Sequence, residues 1–214
     1  MHWIVYNELA WTDPVLARPE SYEEEAMNYV RVIKDSVSAP FPTMLHLGCG
    51  AGGHDFHFRK HFQVTGVDVS RGMLDLAKKV NPDVTYVMGD MRTICLNETF
   101  DAVVIPDSIA YMSTLEDLKQ TLTNAAGHLK AGGVLLVVAH TKEEFQENNF
   151  VYTGAKDGVH ITLFENNHIV SDSTYEATMV YLIRQGGERS IIMRRIHWDC
   201  SRMNNGCAFL RNAS

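Results

Sequence analysis

The chain has 214 residues, 45% of them hydrophobic and 21% charged, which suits one soluble globular domain with a full core. A formal net charge of -7 disfavours nucleic acid as partner, since a duplex or tRNA binder carries a basic face. No apolar run approaches the roughly 18 residues of a membrane helix, and MHWIVYNELAW lacks the pattern of a signal peptide, so a cytoplasmic protein without membrane contact is expected.

The stretch up to about residue 40 carries one expected helix, Tyr22 to Val37. From residue 43 apolar strands alternate with amphipathic helices. Thr43 to Leu47 reads as a strand that stops at a glycine cluster, and a helix follows Gly53. Val64 to Val69 reads as the second strand. Ser70 caps a helix that carries Met73, Leu74, Ala77 and Val80 on one face. Val84 to Met88 and Phe100 to Ile105 are further strands. Thr114 and Asp117 open the next helix as a capping box, and Ala131-Gly132-Gly133 closes it before the strand Val134 to Ala139.

Strands alternating with helices imply a mostly parallel sheet with right-handed crossovers. After about residue 150 the pattern changes to strands at His160 to Phe164, Ile169 to Arg184 and Ser190 to Ile196, with turns at Asn166-Asn167 and Gly186-Gly187. The fold class read from this order is α/β: a Rossmann-like, doubly wound, mostly parallel sheet with a C-terminal antiparallel meander. Three regions of one domain are expected: an N-terminal helical lid over residues 1–40, a core over 41–145 and an antiparallel extension over 146–214.

The four cysteines, Cys49, Cys95, Cys200 and Cys207, form no C-x-x-C pair and read as free thiols. His54, His57 and His61 are closely spaced but lack a carboxylate partner or an H-E-x-x-H pattern, so no metal is expected. Arg189, Arg194, Arg195 and Arg202 read as the solvated side of a late strand.

The strongest chemical signal is LHLGCGAGG at residues 45–53. Gly48, Gly50 and Gly53 satisfy G-x-G-x-x-G between a strand and a helix. Cys49 stands inside that loop, where a small residue is all the geometry asks for. Glycines there allow a tight turn and a close approach of backbone to a ligand. Asp68, at the end of the next strand, is placed to accept both ribose hydroxyls of an adenosyl group.

LHLGCGAGG resembles the first motif of class I S-adenosylmethionine (SAM) methyltransferases. The motifs that follow keep that family's order: GVDVS with Asp68, the helix with Met73, MGDM with Gly89, Asp90 and Met91, FDAVVIPDSIAYM, and LKAGGVLLVV. The resemblance implies a cofactor, SAM. Gly48, Cys49 and Gly50 would lie along its methionine part, Asp68 at the ribose, and Val69 and Met73 on the adenine. Asp90 would accept from the adenine amino group with the Met91 backbone beside it, and Pro106 and Asp107 would sit near the methyl donor. His46 departs from the Asp or Glu usual there, and the C-terminus departs too: either the last sheet strands are missing or the meander replaces them.

The finer resemblance is to small-molecule N-methyltransferases such as the aminosugar N,N-dimethyltransferases and glycine N-methyltransferase. It rests on the N-terminal segments with Tyr6 and Tyr22, the PDSIAYM loop, and the meander with Tyr181 to Arg184. It implies a small-molecule methyl acceptor, an amine nitrogen, with His140 as a weak base, Asp107 attracting a substrate cation, and Tyr6, Tyr22 and Tyr111 supplying hydroxyls. The alternatives are a non-catalytic SAM-binding module, which His46 and the irregular C-terminus favour, and an NAD-dependent oxidoreductase, which leaves MGDM and LKAGG without an account. Exposed meander edges suggest a homodimer.

Overall fold

The computed structural model describes residues 4–139, 147–170, 174–199 and 207–211. Six strands form one sheet: β1 (Thr43–Leu47), β2 (Gln63–Asp68), β3 (Thr85–Met88), β4 (Phe100–Pro106), β5 (Leu129–Val138) and β10 (Cys207–Arg211). Their order is β10-β5-β4-β1-β2-β3. The first five are parallel and β10 runs antiparallel to β5. The expected Rossmann-like topology is therefore present. The last sheet strand is neither missing nor replaced. The meander is inserted between β5 and β10, and β10 covers an edge that β5 would otherwise expose.

Alternation along the strands sends side chains to two faces. Met44, Val64, Val104 and Leu136 pack under the helices α3 (Glu23–Lys34), α4 (Asp55–Phe58) and α5 (Arg71–Val80), together with Ile33, Phe58 and Leu74. Leu45, Leu47, Val103, Ile105 and Val137 pack against Ala125 of α6 (Leu115–Gly127) on the other face. Both predicted N-caps form. The Ser70 hydroxyl accepts from the Met73 N–H, and the Thr114 hydroxyl accepts from the Asp117 N–H.

Some expected boundaries move. The helix after Gly53 is only the single turn α4. The Ala131-Gly132-Gly133 segment does not stop α6, which ends at Gly127, but lies within β5. Lys130 anchors that stretch by donating to the Asp101 carboxylate at 2.9 Å, and Asp101 also accepts from the Thr43 N–H at 2.8 Å.

The second sheet is antiparallel, β6 (Asn149–Lys156), β7 (Val159–Ile169), β8 (Thr174–Gln185) and β9 (Glu188–Asp199), in that order. Two hairpins rest on two-residue loops with positive φ throughout: Asp157 (51°) with Gly158 (78°), and Gly186 (59°) with Gly187 (87°). β6 was not among the expected strands, and Asn166-Asn167 is no turn. It continues β7 because the Asn166 amide donates to Asn149 across the ladder at 2.8 Å.

One face of this sheet buries Ile161, Leu163, Met179, Tyr181 and Ile183 against Leu9, Val15 and Leu16 of the N-terminal segment. The other face leaves Val151, Phe164, Ile191 and Met193 exposed.

The N-terminal segment consists of α1 (Ile4–Glu8), a 3-10 turn (Ala10–Thr12), α2 (Asp13–Leu16) and a second 3-10 turn (Pro19–Tyr22). It lies against both sheets' elements. A Cβ on Gly72 of α5 would lie 3.0 Å from the Asn7 carbonyl, and one on Gly154 of β6 would lie 1.9 Å from the Val15 carbonyl. Glycine at these positions lets the segment seat closely on both sides.

Candidate functional site

The sheet order reverses between β1 and β4, and ligands of open α/β sheets bind outside the carboxyl ends of the strands at such a point. A cavity of ≈ 540 Å³ opens there. Its walls come from the ends of β1, β2, β3 and β4 and from the N-terminal segment. Every expected cofactor residue reaches it: Gly48, Cys49, Gly50, Asp68, Val69, Met73, Asp90, Met91, Pro106, Tyr6 and Tyr22, and so do Asp107 and Tyr111. His140 lies outside the described residues.

The glycine loop is built for backbone approach. Gly48 and Gly50 have φ of 74° and 54°, and a Cβ at Gly48 would fall 2.2 Å from the Ser108 hydroxyl oxygen. Asp68 holds the loop to β2. One carboxylate oxygen accepts from the Gly50 N–H at 2.9 Å and the other from the Ser70 N–H at 2.8 Å. Each oxygen keeps a lone pair, and the group lines the cavity, so a vicinal diol fits it. Burial raises the Asp68 carboxyl above its ordinary range, opposed by the two N–H groups and by His46.

Beneath the loop, His46 does not leave a hole where an acid is usual. Its Nδ1 meets the Asp55 carboxylate at 2.6 Å, with both side chains buried. The other Asp55 oxygen accepts from the Tyr86 hydroxyl at 2.9 Å, and the Asn81 amide donates to Tyr86 and to the Gly52 carbonyl. The acid has moved from the strand to the first turn after the loop, and the network fixes Gly52. Cys49 is buried, and its thiol is pushed up by burial and by the Asp55 and Asp68 charges, so it is an inert packing residue. His54 meets Glu25 at 3.0 Å, and His57 meets the Pro19 carbonyl at 2.8 Å. These histidines tie the N-terminal segment to the loop.

Asp90 is not the open acceptor expected for an adenine amino group. Arg92 grips both of its oxygens through Nε at 3.0 and 3.1 Å and bridges to Asp117 at 2.7 Å. That guanidinium lowers the Asp90 carboxyl below its usual range. Only the lone pairs that Arg92 leaves remain for a ligand.

Opposite the glycine loop, the Tyr6 and Tyr111 hydroxyls hydrogen-bond to each other, with their rings edge-on and centroids 5.7 Å apart. Burial pushes Tyr6 and Tyr22 up to about 12, so both stay protonated donors at neutral pH. Tyr22 also packs on His54 with centroids 4.9 Å apart. Asp107 has φ of 54°, a conformation that L residues rarely adopt, and it follows directly on β4.

Among the wall residues that sequence reasoning left outside the site are Asp13, His54 and Arg92. Ser108 and Met112 lie in the PDSIAYM loop that the sequence pointed to. Arg92 follows Asp90 by two positions, but no motif marks it. Asp13 has no local signal, because docking of α2 alone brings it to the cavity.

A family model described as a methyltransferase domain matches residues 44–133. The dTDP-3-amino-3,4,6-trideoxy-alpha-D-glucopyranose N,N-dimethyltransferase of Streptomyces venezuelae is 37% identical over 57% of this chain and 52% of its own. The dTDP-4-amino-2,3,4,6-tetradeoxy-D-glucose N,N-dimethyltransferase of Saccharopolyspora spinosa is 32% identical over 56% of this chain and 49% of its own. The chain thus spans about half the length of these curated relatives. Among solved structures, Streptomyces venezuelae DesVI superposes with a TM-score of 0.77 at 26% identity, covering 86% of this chain and 79% of that one. SAM-bound CalS10, an amino pentose methyltransferase from Micromonospora echinaspora, superposes with a TM-score of 0.73 at 23% identity, covering 93% and 83%, a likeness of fold. Residues 44–133 of this chain are thus similar to a methyltransferase domain, and they are carried on a Rossmann-like sheet.

Proposed function

We propose that the chain binds SAM in this cavity and directs its methyl group to the nitrogen of a small polar amine. The observation that carries the reading is Asp68: two backbone N–H groups fix its carboxylate beside a positive-φ glycine loop, and its remaining lone pairs suit a ribose diol. Gly48 and Gly50 would lie along the amino-acid part of SAM, Val69 and Met73 on the base, and Asp90 with the Met91 backbone at its edge. SAM supplies an electrophilic methyl on a sulfonium, so the protein's work is to orient the acceptor, exclude water and manage a proton.

The hydroxyls of Tyr6 and Tyr111 orient the acceptor from the roof, and Asp107 adds negative charge beside them. The names of the relatives make amino sugars the first acceptors to try. An NAD oxidoreductase finds no support among these matches. His46, which favoured a binding-only module, has a buried partner of its own.

S-adenosylhomocysteine should raise Tm, because it binds the folded state alone. An acceptor screen should give methylated amines and no product from hydroxyls or carboxylates. Tyr111→Phe should lower kcat about tenfold while S-adenosylhomocysteine affinity by calorimetry stays constant. Transfer to hydroxyls alone, or an equal loss of cofactor affinity, would remove the amine role.

We also infer that a second copy of this chain covers the outer face of the antiparallel sheet. Val151, Phe164, Val180 and Met193 form one cross-strand row on that face, three of them exposed. Arg184 and Arg189 lie toward one end of the face and Glu176 toward the other, so a two-fold related copy would pair unlike charges. Light scattering at micromolar concentration should give a dimer mass, and Ile191→Glu with Met193→Glu a monomer. A monomeric unmodified chain would end this reading.

A further inference from the structure

Asp13 is the first residue of α2, and its side chain lines the cavity on the tyrosine side. It is half-buried, and no hydrogen-bond donor or cation among the described residues reaches its carboxylate. A carboxylate that faces a cavity, partly withdrawn from water and with no donor from the described residues, is placed to pair with a cationic ligand.

Its surroundings say what kind of ligand. The titratable neighbours of Asp13 are the hydroxyls of Tyr6, Tyr22 and Tyr181, with Glu165 of β7 and Asp107 beyond them. Among the described residues the one cation in the cavity wall, Arg92, is held by Asp90 and Asp117, and Arg194 of β9 acts on Tyr181 from behind it. The tyrosine end is therefore rich in negative charge and hydroxyls, which suits a small cation with polar substituents. Asp13 is also held in place: the Val15 carbonyl, two residues on, lies where Gly154 alone permits it, and Leu16 packs in the apolar cluster with Ile161 and Tyr181.

We propose that Asp13 is the acceptor-binding carboxylate of this cavity, taking the amine as its ammonium ion and accepting the proton that must leave the nitrogen before methylation. The proton moves from the ammonium nitrogen to a carboxylate oxygen of Asp13. The lone pair left on nitrogen then forms the new N–CH3 bond while the C–S bond breaks and its electrons stay on sulfur. This assignment rests on the methyltransferase reading above and names the group that selects its acceptor.

The carboxyl of Asp13 is raised to about 6 by burial, so near neutrality it is a base able to receive that proton. Between about 4 and 6 the folded chain holds this proton more tightly than the unfolded chain. The stability so gained is present at acid pH and is lost as pH rises through about 6, where the ionised group stands unpaired.

The experiment uses Asp13→Asn and Asp13→Glu, with S-adenosylhomocysteine and glucosamine as probes. Calorimetry should give the same S-adenosylhomocysteine affinity for all three proteins. Asp13→Asn should raise Tm relative to the unmodified chain at pH 7.5, and the difference should vanish near pH 4. On the S-adenosylhomocysteine-loaded protein, glucosamine binding followed by NMR titration should weaken about thirtyfold in Asp13→Asn and recover in part in Asp13→Glu. With an amine that is methylated, kcat/KM should fall in proportion and lose its acid limb.

Glucosamine binding unchanged by Asp13→Asn, or an acid limb that survives it, overturns the assignment. So does S-adenosylhomocysteine binding by the unmodified chain with no amine bound or methylated, which leaves the cofactor reading intact. Failure of the unmodified chain to bind S-adenosylhomocysteine would overturn the methyltransferase reading itself, and this assignment with it.

Discussion

Asp55→Ala should lower folding stability by about 3–5 kcal/mol. The Asp55 carboxylate serves two buried groups at once, the imidazole of His46 and the hydroxyl of Tyr86. None of these side chains has water at hand, and alanine leaves both without an acceptor. For a chain of this size the shift is about 6–20 °C in Tm. Asp55→Asn keeps one acceptor oxygen and should lose less. Scanning calorimetry of the two variants decides it: equal Tm losses would mean that the cavity left by alanine admits water that replaces the carboxylate. Because the same network holds the Gly52 carbonyl through Asn81, Asp55→Ala should also weaken S-adenosylhomocysteine binding without any contact to the ligand.

Asp68→Ala should weaken S-adenosylhomocysteine binding by about 1.5–3 kcal/mol, or roughly 10- to 150-fold. Two losses combine. The ribose hydroxyls lose a charged acceptor, and the Gly50 and Ser70 N–H groups lose the carboxylate that fixes the loop. Asp68→Asn should fall between, since an amide accepts through one oxygen only. The binding form is the carboxylate and burial has raised its pKa, so affinity should decline as pH falls through the mildly acidic range. Calorimetry across pH reads both effects. An affinity unaltered in Asp68→Ala would remove the ribose role.

The cofactor side of the cavity was legible in the sequence because it is local. Gly48, Gly50 and Asp68 lie within one strand-loop-helix-strand unit, and their chemistry dictates their spacing. The capped starts of α5 and α6 were equally local, set by Ser70 and Thr114. The acceptor side was less legible because it is assembled from distant parts. Asp13 and Tyr6 face Tyr111 and Asp107 only through docking onto α5 and the second sheet, and no periodicity in residues 4–22 encodes that. Arg92 carries no motif, and its place in the wall is set by two carboxylate partners, Asp90 and Asp117, that meet only in space.

The misread elements also have physical causes. Asn166-Asn167 has turn composition, yet cross-strand amide bonds make it strand. β6 ends at Asp157-Gly158, a hairpin signal that stood in the sequence unused. The five residues of β10 carry too little pattern to be found, and the vacant side of β5 gives them their place.

The insertion of the antiparallel sheet between β5 and β10 builds the cavity from two parts that lie far apart in the chain. Leu9 is buried by Ile161, Leu163, Met179, Tyr181 and Ile183, while Asp68 is joined to the glycine loop and to α5 by bonds from Gly50 and Ser70. The half that recognises the nucleoside is thus built from near neighbours in the chain. The half that covers it waits for contacts of long sequence separation, whose closure entropy must be met first. Loosening residues 4–22 from the second sheet would open the cavity and leave the parallel sheet standing. Acceptor entry and product escape would then proceed by detachment of this N-terminal cover, with its tyrosines and Asp13 leaving as a unit.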